Sequence, residues 1–307
     1  MKNYIEYFFF RIGVFFTQLF PLSCVQAFGR GFGLFVFHVI PIRKALVFEN
    51  LTHAFPKKSR NEITALAKEN YKSIFCTFME ILWLSKITEE RLRELVTIPN
   101  AQIIDSLLSE GKGLIAVGGH FGSWELGSLS VGLIGGHPIT IIVQRQRNPL
   151  VDAFMTSMRE KFDNIMIVME RAPREIFRAI QNNKVVGMLV DQSGPESGIY
   201  VNYFGRLVST HQGPAVFAVR TGAPMMMSSI IRQPDGKFIT ELKRIVIEDI
   251  TGTDEEKIQK ITERHVAMME EYVRRFPEQW LWMHKRWKHA DKAASMNNHV
   301  APRRHKK

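Results

Sequence analysis

The stretch from Gly113 to Gly127, GLIAVGGHFGSWELG, decides the fold around which the rest of the chain is organised. Its apolar residues 114–118 predict a buried strand, and the two adjacent glycines at its end permit a tight turn. The turn leads to His120, and Glu125 follows five positions later. Residues five apart lie about 140° apart around a helix. The two side chains therefore meet only if His120 lies in the turn and Glu125 in the first turn of the next helix, where a carboxylate is favourable.

A histidine and a carboxylate in this arrangement are suited to acyl transfer. A neutral imidazole takes the proton of an attacking alcohol, and a carboxylate on its other ring nitrogen fixes the tautomer and stabilises the imidazolium. The alternative is an ordinary histidine in a strand-to-helix turn, with Glu125 as a favourable first-turn charge. The Gly-Gly approach and the five-residue spacing favour the catalytic interpretation, with His120 as general base and Glu125 as the residue that orients it.

The arrangement resembles the HX4D/E motif of glycerolipid acyltransferases. The letters HFGSWE at 120–125 are similar to the version found in the late acyltransferases of lipid A biosynthesis, the lauroyl and myristoyl transferases. The segments ENLTHAFPKKSRNEI at 49–63 and FPEQWLWMHKRWK at 276–288 resemble the same family, so the likeness covers roughly residues 40–290. It implies an acyltransferase that moves a long-chain acyl group from an acyl carrier protein or coenzyme A thioester to a hydroxyl of a lipid acceptor.

The resemblance also implies a place for the reaction and a class of acceptor. The expected location is the inner membrane, with the catalytic domain on the cytoplasmic side. A lipid A precursor is the leading acceptor, and another glycolipid, such as a phosphatidylinositol mannoside, or a lysophospholipid is the alternative. The segment Phe276-Pro277-Glu278 lacks the glycine of the FPEG motif in the glycerol-phosphate branch. That departure favours the lipid A branch.

Composition points to anionic partners and a reducing compartment. The 307-residue chain has a formal net charge of +11, and residues 284–307 hold eight Lys and Arg against a single Asp. Such an end is either a disordered, solvated tail or a segment attracted to anionic lipid. Cys24 and Cys76 lie in apolar contexts without metal-like spacing, which indicates free thiols. No P-loop, GxSxG or CxxC pattern occurs, and nothing suggests a metal or a cofactor.

The N-terminal 42 residues are predicted to attach the protein to a membrane. The segment Tyr4–Phe20 is dominated by aromatic and aliphatic residues, and a second apolar stretch, Val25–Ile40, follows Pro21. The second stretch is predicted to form a glycine-interrupted helix packed on the membrane side of the domain. The first segment does not resemble a cleaved signal peptide, and it is slightly short and charged for an unaided span. It is therefore predicted to span the membrane or to lie at its interface. A soluble core helix is the competing explanation.

The remaining pattern predicts an α/β fold with a mixed, mainly parallel sheet flanked by helices, behind an N-terminal membrane helix. Residues 43–290 are predicted to form the catalytic domain, and 291–307 a disordered basic tail. Two helices are expected around Pro56, the second capped by Ser59 and Glu62. Predicted strands are 114–118, 139–143, 165–169, 185–190, 200–204, 225–231 and 238–247, and predicted helices are 124–133, 150–162, 173–181, 213–221, 255–276 and 278–288.

Three further clusters fall at the ends of predicted strands, where ligands of α/β sheets tend to bind. In the first, Arg145 or Arg147, ahead of Asn148, is suited to hold a phosphate or developing negative charge. The family resemblance implies one functional arginine here, and Arg145 matches its position better. Two solvated loop arginines are the alternative.

The second and third clusters are Asp191 and the segment from Gly205 to Thr210. Asp191 follows a buried strand and is suited to orient an arginine or to accept from a substrate hydroxyl, with an Asx-turn as the alternative. The resemblance implies that Gly205 and Thr210 help to shape the site, whereas a simple turn and core are the plainer explanations.

The C-terminal tryptophans and cations are predicted to form a helix at the membrane interface. Tryptophans and cations in this combination also stack on nucleic acid in other proteins, but no RNA- or DNA-binding signature accompanies them here. A non-catalytic, basic peripheral membrane protein is the competing functional class, and the intact His-Glu pair argues against it.

Overall fold

A seven-stranded sheet with helices on both faces forms the centre of the computed structural model, which describes residues 1–169 and 172–290. The strands are β1 (Val96–Thr97), β2 (Leu114–Gly118), β3 (Ile139–Val143), β4 (Ile165–Val168), β5 (Val185–Leu189), β6 (Ile199–Tyr203), β7 (Arg206–Thr210), β8 (Met225–Arg232) and β9 (Phe238–Ile245). The helices are α1 (Lys2–Leu19), α2 (Leu22–Val39), α3 (Lys44–Ala54), α4 (Arg60–Trp83), α5 (Glu89–Leu95), α6 (Ile103–Leu108), α7 (Trp124–Ile134), α8 (Pro149–Arg159), α9 (Ala172–Gln181), α10 (Gly213–Thr221) and α11 (Asp254–Arg275). The predicted tail, 291–307, lies outside the described residues.

The sheet is mixed and mainly parallel, as the sequence predicts. Its strand order is β1-β9-β8-β2-β5-β3-β4. The pairs β8–β2, β2–β5, β5–β3 and β3–β4 are parallel, whereas β8 and β9 are antiparallel. Strands β6 and β7 form a separate antiparallel hairpin.

Strand β2 is buried on both faces, which explains its continuous apolar sequence. Leu114 and Ala116 pack into the core on the side of α5 to α8, and Ile115 and Val117 pack into the core on the opposite side. Because β2 and β5 are parallel neighbours, their carboxyl ends reach the same edge of the sheet. The residues after these two strands are thereby brought together.

Most predicted elements occur within a few residues of their expected positions, including the break at Pro56. Ser59 caps α4 in a capping box with Glu62, which confirms that prediction. Strand β7 was not predicted. It begins after a two-residue turn in which Phe204 and Gly205 have positive φ angles of 52° and 78°. This turn reverses the chain at the start of the predicted segment from Gly205 to Thr210.

The predicted C-terminal helix 278–288 is wrong. After a short 3-10 turn at Pro277–Gln279, the chain runs irregularly through the core. Its carbonyls are satisfied by side chains instead of by helical hydrogen bonds, because Asn70 donates to Trp280 O and Asn50 donates to Trp282 O. The tryptophans at 280, 282 and 287 are buried, with 1%, 0% and 9% exposure, so they do not form the predicted membrane-interface surface. We call residues 276–288 the C-terminal strap.

The two N-terminal helices pack against α4 on one side and expose aromatic residues on the other. Within the described residues, only Leu22–Val39 is long and apolar enough to cross a membrane by length and composition, and 39% of it is buried inside the fold. Gly29 and Gly33 allow this close packing, since a Cβ at these positions would lie 2.6 Å from Cys76 Cα and 2.3 Å from Tyr71 O. The predicted helix at 4–20 is present as α1, although it does not meet the same criterion.

Candidate active site

His120 lies in the turn after β2 and lines a cavity of the protein. The preceding glycine allows close packing there, because a Cβ on Gly119 would lie 2.9 Å from the Met269 methyl carbon and 3.1 Å from the Asp191 carboxyl carbon. The backbone N–H of His120 donates to Asp191 Oδ2 at 2.8 Å, and Nδ1 lies 2.9 Å from Asp191 Oδ1. With Nδ1 engaged by the carboxylate, Nε2 is the ring nitrogen left for a substrate.

Asp191 is held in place by N–H donors from two parts of the chain. It follows β5, which lies beside β2, and its side chain is 4% exposed. Besides the two His120 donors, Trp280 Nε1 donates to Oδ2 at 2.9 Å. Burial alone would raise the pKa of Asp191, but the charge of a protonated His120 and these hydrogen bonds lower it to about 2. The carboxylate is therefore ionised at physiological pH.

The same pairing raises the pKa of His120. Burial opposes the imidazolium, yet the Asp191 carboxylate outweighs burial through its charge and its hydrogen bond, and Glu125 adds a smaller contribution. A carboxylate that fixes the tautomer and stabilises the protonated ring is the arrangement that a general base needs.

Glu125 is not the hydrogen-bond partner of His120 in the structure, which corrects the pairing predicted from the five-residue spacing. It does lie in the first turn of α7, as predicted, but its carboxylate binds Arg159 at the end of α8. Arg159 Nε and Nη2 donate to its two oxygens at 2.9 and 2.5 Å. The neighbouring parallel strand places Asp191 closer to Nδ1, a long-range contact that local spacing does not show.

The cavity beside His120 has a volume of about 490 Å³ and is mostly apolar. His120, Glu125 and Arg159 line it together with residues from both faces of the sheet. Ala116, Ile139 and Gly187 line it toward α7, whereas Met188, Ile176 and Phe217 line it toward α9 and α10. An apolar space that ends at a histidine–carboxylate pair is suited to a substrate with a hydrocarbon chain.

The arginine loop after β3 lies beside this cavity without its arginines lining it. Gln144 and Gln146 contribute to the wall, while Arg145 and Arg147 are exposed. Asn148 is buried, and its side chain makes hydrogen bonds within the fold. It caps α8 by accepting from the backbone N–H of residue 150, and its amide donates to the backbone oxygen of residue 3 on α1.

The last two predicted residues lie away from the cavity wall. Gly205 is an exposed residue of the β6–β7 turn. Thr210 is buried at the end of β7, where its hydroxyl accepts from Arg286 Nη2 at 2.7 Å. The next residue, His211, does line the cavity.

Three side chains around the site were not identified from sequence. Arg159 was not singled out in the sequence, and Trp280 and Arg286 were interpreted as membrane-interface residues. Arg286 is 1% exposed and donates to Gln192 O and Ser209 O. It thereby ties the chain just after Asp191 to the end of β7. No local pattern marks such contacts, which depend on how the C-terminal strap crosses the sheet.

Comparison with known proteins shows the family to which the chain belongs. The family described as bacterial lipid A biosynthesis acyltransferase matches residues 1–289. The chain belongs to this family. It is 25% identical to the lipid A biosynthesis lauroyltransferase of Escherichia coli K12 over 275 residues, which cover 87% of this chain and 86% of that protein.

Two other relatives show the range of the family. The lipid A biosynthesis palmitoleoyltransferase of the same organism is 25% identical, over 88% of this chain and 86% of that protein. A phosphatidylinositol mannoside acyltransferase of Mycolicibacterium smegmatis is 22% identical, over 78% of this chain and 77% of that protein. This protein is accordingly an acyltransferase of the lipid A type, an enzyme that takes an acyl donor and a lipid acceptor.

Proposed function

We propose that this lipid A acyltransferase transfers a long-chain acyl group from a thioester to a hydroxyl of a lipid A precursor. The observation that carries the proposal is the His120–Asp191 pair, in which His120 lines an apolar cavity. A hydroxyl nucleophile needs a base, and an acyl chain needs an apolar space, and both are present at one edge of the sheet.

In the proposed reaction, His120 Nε2 removes the proton of the acceptor hydroxyl as its oxygen attacks the thioester carbonyl carbon. Asp191 stabilises the imidazolium that forms. The tetrahedral intermediate then collapses, the carbon–sulfur bond breaks, and the departing thiolate takes the proton from His120. An ester and a free thiol result, and the base is regenerated without any other reactant.

Glu125 contributes to this mechanism through its charge and through Arg159. Its side chain is 7% exposed and that of Arg159 is 13% exposed, so the pair lies in an environment where charges interact strongly. We assign to Glu125 a second negative charge near His120 and the placement of the guanidinium on the cavity wall. Loss of Glu125 would leave Arg159 as a partly buried cation without its bidentate partner.

The loop that carries Arg145 and Arg147 is proposed to bind the phosphate of the acceptor or of the thioester donor. Its glutamines line the cavity, so the exposed guanidiniums are close to where a polar headgroup enters. Asn148 is proposed to support the site indirectly by capping α8. Gly205 and Thr210 are proposed to do so through the β6–β7 hairpin, in which Thr210 accepts a hydrogen bond from Arg286. Acyl carrier protein and coenzyme A both present the required thioester.

Attachment to the cytoplasmic face of the inner membrane is proposed to occur through α1 and α2. Their outward faces expose Phe8, Phe16, Phe28 and Phe35 by 61, 56, 63 and 48%. Their inward faces pack on α4, which fixes this aromatic surface relative to the cavity. Residues 1–42 are thereby proposed as the anchoring segment of the catalytic domain 43–290.

Lipid mass spectrometry of cells that lack the gene tests the proposal. Lipid A in these cells should lack one acyl chain, and the gene should restore it. Because relatives include phosphatidylinositol mannoside acyltransferases, the same extracts reveal whether another glycolipid is the acceptor. An unchanged lipid profile would contradict the proposed function.

A further inference from the structure

The third hydrogen bond to Asp191 comes from a distant part of the chain. Oδ1 faces His120 Nδ1, and Oδ2 accepts from His120 N at 2.8 Å and from Trp280 Nε1 at 2.9 Å. Trp280 is 1% exposed, so no water competes freely for this contact. Two of the contacts to this carboxylate come from His120, and the third comes from the indole N–H of Trp280.

The backbone of the C-terminal strap fixes Trp280 against the turn that carries His120. Phe121 and Trp280 form an isolated β-bridge, and Leu281 N donates to His120 O at 3.0 Å. On the other side of the strap, Asn70 donates to Trp280 O at 2.7 Å. The indole is thereby held by main-chain contacts and does not depend on its own rotamer alone.

The carboxyl group of an aspartate rotates easily about its last torsion, which has a broad, twofold preference. Two donors on Oδ2 hold the plane of the Asp191 carboxylate so that Oδ1 stays 2.9 Å from His120 Nδ1. Without the indole N–H, only the backbone N–H of His120 would hold Oδ2. Because a general base depends on one tautomer and one ring orientation, looser placement of Asp191 lowers turnover without removing any group that touches substrate.

We infer that Trp280 is a positioning residue for catalysis, which acts on His120 through Asp191. This inference rests on the proposed function. The C-terminal strap would then position a residue of the active site in addition to packing its tryptophans in the core.

The strap offers a matched control. Trp282 is 0% exposed, lies two residues away and donates its own indole N–H to Pro277 O at 2.6 Å instead of to Asp191. Trp280→Phe and Trp282→Phe each remove one indole ring and one buried hydrogen bond from the same aromatic cluster. Equal losses of thermal stability are expected from both. Only Trp280→Phe removes a donor to the carboxylate.

The test is acyl transfer by the purified full-length variants, with rates normalised to the folded fraction. Trp280→Phe should lower kcat by about tenfold or more, the effect expected for a lost hydrogen bond to a charged group, with little change in KM. Trp282→Phe should retain kcat. In an Asp191→Ala background, Trp280→Phe should cause no further decrease, because a residue that acts through Asp191 has nothing left to position.

Three results would overturn the inference: retained kcat in Trp280→Phe, an equal fall in Trp282→Phe, or an undiminished effect in the Asp191→Ala background. If Trp280→Phe does not fold, replacement of Trp280 by benzothienylalanine keeps the ring shape and removes only the N–H, and the same outcomes apply. Full activity of both His120→Ala and Asp191→Ala would instead contradict the proposed function itself.

Discussion

At the scale of single residues, the position of His120 can be predicted from the sequence, but its pairing with Asp191 cannot. His120 and the turn that holds it are evident from the glycines and the strand before them. Asp191 was recognised as a polar residue at a strand end, but its pairing with His120 depends on β2 and β5 being parallel neighbours. Register between strands 71 positions apart in sequence is set by the whole sheet, so local spacing favoured Glu125.

The pH dependence of Asp191→Asn tests this pairing. A general base works only when neutral, so the wild-type rate should fall as pH drops through the pKa of His120, which Asp191 raises above its usual value of about 6.5. An asparagine supplies no charge, and burial then lowers the pKa. The acidic limb of kcat/KM should therefore move to lower pH, and the maximal rate should fall because an amide N–H selects the wrong tautomer.

The exposed His137–Asp105 pair supplies the control. Its atoms lie 2.6 Å apart, yet neither residue lines the cavity. Asp105→Asn should leave both the limb and the maximal rate unchanged. An acidic limb that stays in place in Asp191→Asn would show that Asp191 does not govern the ionisation of His120.

At the scale of elements, most strands and helices of the catalytic domain were predictable, whereas β7 and the irregular C-terminal strap were not. Short apolar runs in the sequence predict strands β2 and β5, and a capping box predicts the start of α4. The sequence of the C-terminal strap predicts a helix. In the structure, the side chains of Asn50 and Asn70 donate hydrogen bonds to its carbonyls, and its tryptophans pack in the core. Tertiary contacts thus override local preference, and Trp280, which donates to Asp191, comes from this segment.

The loop between β3 and α8 carries two arginines, and one of them is proposed to bind phosphate or transition-state charge. If Arg145 holds phosphate or transition-state charge, Arg145→Ala should lower kcat/KM by about tenfold or more, because charge-assisted hydrogen bonds are the strong ones. Arg145→Lys should also be impaired, since an ammonium cannot reproduce the bidentate fork. Arg147→Ala should be mild.

Assays of these variants with the same donor and acceptor decide the assignment. The reverse ranking would transfer the role to Arg147. Two mild effects would remove the loop from the site. Both arginines are exposed, so the fold should tolerate each change.

At the scale of the whole molecule, the aromatic faces of α1 and α2 are predicted to bind anionic membranes. Phe8→Glu combined with Phe16→Glu should lower binding to anionic vesicles at least tenfold in a flotation assay. Each buried phenylalanine contributes about 1.5–3 kcal/mol, and both side chains are more than half exposed in the protein. The fold should persist, because neither substitution enters the core.

Val246 provides the matched surface control, since it is 51% exposed and lies outside α1 and α2. Val246→Glu should float with vesicles as the wild type does. Equal binding by the α1 variant and the wild type would show that this aromatic surface does not face the bilayer.

The central claim, that His120 is the base of an acyl transfer, is tested most directly by one comparison. Purified full-length wild type and His120→Ala are given the same acyl thioester and lipid A precursor, and transfer is followed by mass spectrometry of the product. Loss of the base should lower the rate by about 10²–10⁴-fold while thermal unfolding stays close to that of the wild type. Near wild-type transfer by folded His120→Ala would contradict the mechanism.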